Sequence, residues 1–235
     1  MKDLVALHFS NGIESDEPAV QNSSELESTA WHEAGHALQA YLSFGPDGIP
    51  EYATVVSAGD VAGYVVDSLE GEHWSNRTID YRRFRADVRC CLAGRAAEEL
   101  IYGPEGVSAG ASSDLRQATR LACSMIAYCG FSPSMDDSAA SSRNLGVVLS
   151  DSPSPSEMRH VENLCRRLLE QEYLVVLEGL RRHRDLLSRI FQALRAEFIL
   201  GRRDLEKLML GGSGLGPFSV GLPRHEGDCL MEESQ

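Results

Sequence analysis

The sequence predicts a mainly α fold carrying one small β-hairpin. Apolar residues recur at three- and four-residue spacing through five long segments and one short one. Two short runs of β-branched and aromatic residues stand close together between the first two of those segments. Glycine, twice followed by proline, closes four of the helical patterns, at Gly45-Pro46, Gly103-Pro104, Gly130 and Gly201.

Residues 1–27 are polar and acidic and read as a loose arm. A helix follows, capped by Ser28 or Thr29, with Trp31, Ala34, Leu38 and Leu42 on one face. Residues 52–57 (YATVVS) and 61–66 (VAGYVV) read as strands joined by a short turn. Phe84, Val88, Leu92, Ala96 and Leu100 define a second helix over 80–102. A Gly/Ser-rich loop at 106–113 enters a third helix with apolar positions Leu115, Ala118, Leu121, Ala122 and Met125. Residues 131–156 read as a loop around the apolar piece LGVVLS. Two long helices follow, one from about Ser156 with Val161, Leu164, Leu168 and Leu177, the other with Leu187, Ile190, Leu194 and Phe198. A last short helix spans Leu205–Leu210, and 211–235 form a glycine-rich acidic tail. The body of the fold is expected over 28–210.

Twenty-two Lys and Arg oppose 35 Asp and Glu, a net charge of −13 that provides no basic face for nucleic acid. Only residues 157–207 escape the acidic balance, with eleven bases to nine acids, which makes that helical part the surface for an acidic partner. No run of eighteen apolar residues predicts a membrane anchor, and no export signal is visible, so a cytoplasmic location is expected. The six cysteines (Cys90, Cys91, Cys123, Cys129, Cys165, Cys229) form no CxxC pair and read as reduced, mostly buried thiols.

The chemistry concentrates at His32-Glu33-Ala34-Gly35-His36, an HExxH pattern. Four residues apart on a helix, both imidazoles reach one metal ion, while Glu33 is placed to touch a water rather than the metal. Random placement of this composition gives roughly 0.02 such matches, and this one falls inside an amphipathic helix. Two histidines leave a catalytic zinc one protein ligand short. Gln39 stands where the extended three-histidine motif places glycine, which excludes that motif. Glu98, Glu99 and Asp114 remain as candidates for the third ligand.

HEAGHAL at 32–38, LAGRAAEELIYG at 92–103, GASSDLRQATRLACSMI at 110–126 and LGRRDLEKLM near the end resemble, in order and spacing, the peptidase domain of the FtsH-type AAA zinc metalloproteases. The resemblance covers about residues 28–210 and implies a zincin fold with zinc (Zn2+) as cofactor. It implies His32, His36 and Asp114 as zinc ligands and Glu33 as general base, with Glu98 and Glu99 supporting or packing. It also implies that the strand containing Ala62, Gly63, Tyr64 and Val65 pairs with an extended polypeptide substrate. Ser57-Ala58-Gly59-Asp60 departs from the basic-Gly turn expected between the family's two strands.

The activity so implied is a zinc-dependent metalloendopeptidase hydrolysing peptides or unfolded polypeptides. No GxxxxGK[ST] loop occurs in the sequence, so action without an ATPase of its own is expected, with a separate AAA ATPase as candidate partner. The oligomeric state is left open between a homo-oligomer, up to the hexameric ring that the resemblance implies, and a monomer. The alternative is a catalytically silent, metal-stabilised interaction module.

Overall fold

A computed structural model describes residues 23–57, 62–66, 80–131 and 152–211. The acidic arm before Ser23, the Ala58-Gly59-Asp60 turn, the LGVVLS piece and the tail beyond Gly211 lie outside the described residues.

The first helix, α1, spans Ser23–Phe44 and so begins five residues before the expected Ser28 cap. It stops where expected: Gly45 takes a positive φ of 65°, and a 3-10 turn over Gly45–Gly48 carries Pro46. The hairpin is shorter than the sequence suggests, with β1 at Tyr52–Thr54 and β2 at Tyr64–Val66. The two pair antiparallel with Tyr52 opposite Val66 and Thr54 opposite Tyr64. A third strand, β3 at Ile199–Gly201, pairs antiparallel with the other edge of β1, giving the order β2-β1-β3. Apolar spacing places these residues at the end of a helix that runs to Gly201. Phe198 instead adopts the left-handed conformation (φ 61°), which breaks the helix and turns three residues into the sheet.

Helix α2 spans Tyr81–Tyr102, as expected. The Asp80 carboxylate accepts from the Arg83 amide at 2.8 Å, and Gly103 at φ 78° closes the other end. Helix α3 spans Ser112–Ala127. Helix α4 spans Pro155–Arg182 and starts on a reciprocal Ser154–Glu157 capping box with proline in its first turn. One residue, His183, separates it from α5 (Arg184–Glu197), and α6 covers Arg202–Leu210.

Helix α2 is the centre of the bundle. It packs against α1 on one side and against α3 and α4 on the others, while α5 closes over α1. The α1–α2 approach is close because Gly35 has no side chain: a Cβ there would lie 2.6 Å from both the Ala93 carbonyl oxygen and the Ala97 Cβ. The main core gathers Leu38, Leu92, Leu180, Leu187 and Ile190, with Trp31 stacked on Phe191 at 3.8 Å between ring centroids. A second apolar cluster joins α2, α3 and α4 through Phe84, Met125, Ile126, Val161 and Leu168. Leu115, expected on the buried face of α3, is exposed, because the first turn of that helix stands at the rim of a cleft. Among the described residues no helix is long and apolar enough to cross a membrane.

Candidate metal centre

His32 and His36 lie one turn apart on α1, and Asp114 comes from the first turn of α3. Their donor atoms form a small triangle. His32 Nε2 is 3.1 Å from His36 Nε2, and Asp114 Oδ2 lies 3.0 Å from the first and 3.3 Å from the second. Tetrahedral zinc with bonds of about 2.0–2.1 Å needs ligand atoms roughly 3.3 Å apart, so the three atoms match one face of such a polyhedron. Of the three candidates for the third ligand, Asp114 alone joins both histidines at the metal-facing nitrogens.

The remaining ring nitrogens are fixed from behind. His36 Nδ1 donates to the Cys90 carbonyl oxygen at 2.8 Å, and His32 Nδ1 donates to Glu98 Oε1 at 2.6 Å. A carbonyl can only accept, so the His36 proton sits on Nδ1 and its Nε2 presents a lone pair. The Glu98 carboxylate selects the same tautomer of His32. Once His32 gives up its second proton, two nitrogen lone pairs and one carboxylate oxygen converge on a single point. That donor set suits a borderline cation such as zinc.

Glu98 is 1% exposed and is itself held by the Ser108 amide, which donates to Oε2 at 2.7 Å. Glu98 therefore orients His32 instead of ligating. Glu99 accepts from the Tyr173 hydroxyl at 2.7 Å and ties α2 to α4. Both findings agree with the supporting roles implied for these two residues.

Electrostatics follow the packing. Burial disfavours a charged His32, yet Asp114 and Glu98 outweigh it and raise its pKa to about 10 without metal. Burial disfavours a charged Asp114 too, but the two histidines hold its pKa well below the usual carboxylate range. Glu98 is also lowered: hydrogen bonds from His32 and Ser108 overcome its burial. Glu33, 4% exposed, moves the other way, because burial raises its pKa more than His36 and His32 lower it. A carboxylate with a raised pKa is a stronger base than an ordinary one, which suits a group that must take up a proton.

A cleft of about 640 Å³ opens over the triangle, lined by Glu33 and by Ala62, Gly63, Tyr64 and Val65. In the sheet order β2 is an edge strand. Gly63 lies so close to α1 and β1 that a Cβ would meet Thr29 Cγ2 at 2.7 Å and the Thr54 carbonyl oxygen at 2.8 Å.

Three contributors to the site were not foreseen: the Cys90 carbonyl, Ser108 and Gly94. A Cβ on Gly94 would fall 2.3 Å from His32 Nε2, so the ring rests directly against the α2 backbone. A glycine inside a helix costs about 1 kcal/mol relative to alanine, and that cost is the sequence signal that could have singled it out. The sequence expectation of mostly buried cysteines is also corrected: among the described ones Cys165 alone is buried, Cys90, Cys91 and Cys123 are half-buried, and Cys129 is exposed.

The sequence comparisons agree with this geometry. The chain is 30% identical over 207 residues to the ATP-dependent zinc metalloprotease FTSH 11, chloroplastic/mitochondrial, of Arabidopsis thaliana, covering 88% of this chain and 23% of that protein. It is 33% identical over 187 residues to the ATP-dependent zinc metalloprotease FtsH of Thermus thermophilus, covering 78% of this chain and 29% of that protein. The chain thus spans about a quarter of the length of these relatives. The model of peptidase family M41 matches residues 19–208, which include every residue of the site. With that match and two histidines and an aspartate arranged for zinc, the chain belongs to peptidase family M41 and is a zinc metallopeptidase domain.

Proposed function

We propose that the chain is an endopeptidase that hydrolyses peptides or unfolded polypeptides in extended conformation. The observation that carries this reading is the convergence of His32, His36 and Asp114 beneath a cleft whose walls are Glu33 and the edge strand β2. His32, His36 and Asp114 would hold a zinc ion, which would supply Lewis acidity toward the scissile carbonyl and the attacking water.

The chain's own groups do the rest. Glu33 takes the proton of the attacking water on its carboxylate and later delivers it to the leaving amine nitrogen. Its raised pKa suits both transfers. Ala62, Gly63, Tyr64 and Val65 bind substrate as an added strand, through backbone hydrogen bonds that tolerate many side chains. An added strand requires an extended partner, so folded proteins must first be unfolded by an ATPase, on the same polypeptide or on a separate one.

The test is Glu33→Gln. The variant should bind one zinc per chain, with casein cleavage reduced by at least a hundredfold. Cleavage at the wild-type rate excludes Glu33 as the base. Zinc bound normally by a wild-type chain that never cleaves casein favours the silent interaction module.

A further inference from the structure

The second apolar cluster contains a pair of sulfurs that the peptidase chemistry does not use. Cys123 lies in the fourth turn of α3 and Cys165 about three turns into α4, and their Sγ atoms are 3.2 Å apart. This is inside the roughly 3.6 Å contact of two non-bonded sulfurs and about 1.2 Å from a disulfide bond length. Cys165 is 4% exposed and packs with Phe84, Met125, Ile126 and Leu168, whereas Cys123 is half-buried. One thiol is thus within reach of solvent and the other waits directly behind it.

We propose that Cys123 and Cys165 are a modification site, a dithiol that small-molecule disulfides convert reversibly to a disulfide bridging α3 and α4. The Cys123 sulfur, as thiolate, attacks one sulfur of a low-molecular-weight disulfide. That S–S bond breaks, one small thiolate leaves, and a mixed disulfide remains on Cys123. Cys165 then attacks the Cys123 sulfur and displaces the second small thiolate, which takes up the proton that Cys165 gives up. The protein loses two hydrogens and two electrons, and the small disulfide gains both as two thiols. The order of attack follows from access: Cys123 is half-buried and Cys165 only 4% exposed, and burial with the adjacent Cys123 raises the Cys165 pKa, so Cys123 is the entry thiol.

The bridge joins residues 42 positions apart. A loop of that size restricts the unfolded chain substantially. It also ties down α3, the helix whose first turn carries Asp114. The half-exposed entry thiol suits a bridge that forms and opens with redox conditions.

The experiment treats the full-length chain with a graded series of oxidised and reduced glutathione. It then quenches with acid, alkylates free thiols, and maps the peptides by mass. The expected result is a chain about 2 Da lighter, a Cys123–Cys165 linked peptide, and two fewer alkylated cysteines of the six. The melting temperature should rise on the order of 5–10 °C and fall back on adding dithiothreitol. Cys129→Ser should form the bridge unchanged, and Cys123→Ser should form none. Overturning results are a stable glutathione adduct on Cys123, linkage to Cys129 in place of Cys165, or no linkage while Cys123 remains freely alkylated. Peptide mapping on the wild-type chain keeps the test decisive even where a serine variant folds poorly.

Discussion

Replacing Gly94 with alanine separates the metal site from the fold. The added methyl would sit 2.3, 2.4 and 2.6 Å from Nε2, Cε1 and Cδ2 of His32. Carbon–nitrogen contacts of this kind settle near 3.5 Å, so the ring must withdraw by about 1 Å. It cannot withdraw along its own axis, because Nδ1 is held at 2.6 Å by the buried Glu98. Zinc ligand distances tolerate about 0.2 Å, so the shift removes His32 from the triangle and should lower zinc affinity by a hundredfold or more. The fold loses much less. Crowding costs about 1–3 kcal/mol, and the gain in helix propensity offsets about 1 kcal/mol of it. The assay is zinc content after equilibration with a competing chelator, measured beside the helical circular dichroism signal. The expected outcome is native helicity with little zinc and no casein cleavage. A Gly94→Ala chain that holds one zinc with wild-type affinity would refute the reasoning, since it would mean that the His32 ring does not need the α2 backbone.

Further predictions follow from the same contacts. Glu98→Gln keeps the shape and removes the charge behind His32, and zinc affinity measured by competition with a chromophoric chelator should fall about 10- to 100-fold. Glu172 is fully buried, with Arg85 Nε donating to it at 2.5 Å and Arg89 Nε donating to its other oxygen, so Glu172→Gln should cost about 3 kcal/mol in urea unfolding; a loss under about 1 kcal/mol would show that the pair is solvated. The His32 pKa is raised from 6.5 to about 10 in the metal-free chain, so the stability it adds is complete below about pH 6.5 and is lost as pH rises through about 10. Zinc must displace that proton, so between those limits zinc affinity should climb about tenfold per pH unit while the melting temperature of the EDTA-treated chain declines. Parallel melts at pH 7 and pH 9.5 check both trends.

The parts of this site that could be read from sequence are those whose spacing carries the geometry. HExxH on a helix puts two rings and one carboxylate on a single face, and the structure keeps them there. Asp114 was one of three open candidates by spacing alone, because its place depends on how the loop at 106–111 seats α3 against α1. Contacts made through the backbone gave no signal at all: neither the Cys90 carbonyl behind His36 nor the Ser108 amide behind Glu98 depends on a side-chain type. The strand β3 escaped because three residues are too few to show a period, and the Phe198 left-handed turn that creates it is not a glycine. The burial of Glu172 is legible in the sequence. Leu168, Glu172, Val176 and Leu180 follow at four-residue spacing, which puts a carboxylate squarely in the buried stripe of α4 and calls for cationic partners.

The site's precision rests on one stripe of α2. Cys90, Gly94 and Glu98 are one turn apart, and they offer in order an acceptor carbonyl, a gap without a side chain, and a carboxylate. His36 meets the first, and His32 fits the gap and meets the last. Each ring is therefore positioned by its place along α2 as much as by its own helix. Sliding α1 by one turn, about 5.4 Å, would carry one histidine into the other's place and take the second away from its own acceptor. Gly35, between the two histidines, seats α1 on Ala93 and Ala97 and permits only the register that joins them. The glycine inside HEAGH and the glycine inside LAGRAAEE thus answer each other across the interface. The packing of two helices sets the distance between two nitrogens, and Asp114 needs only to close the triangle.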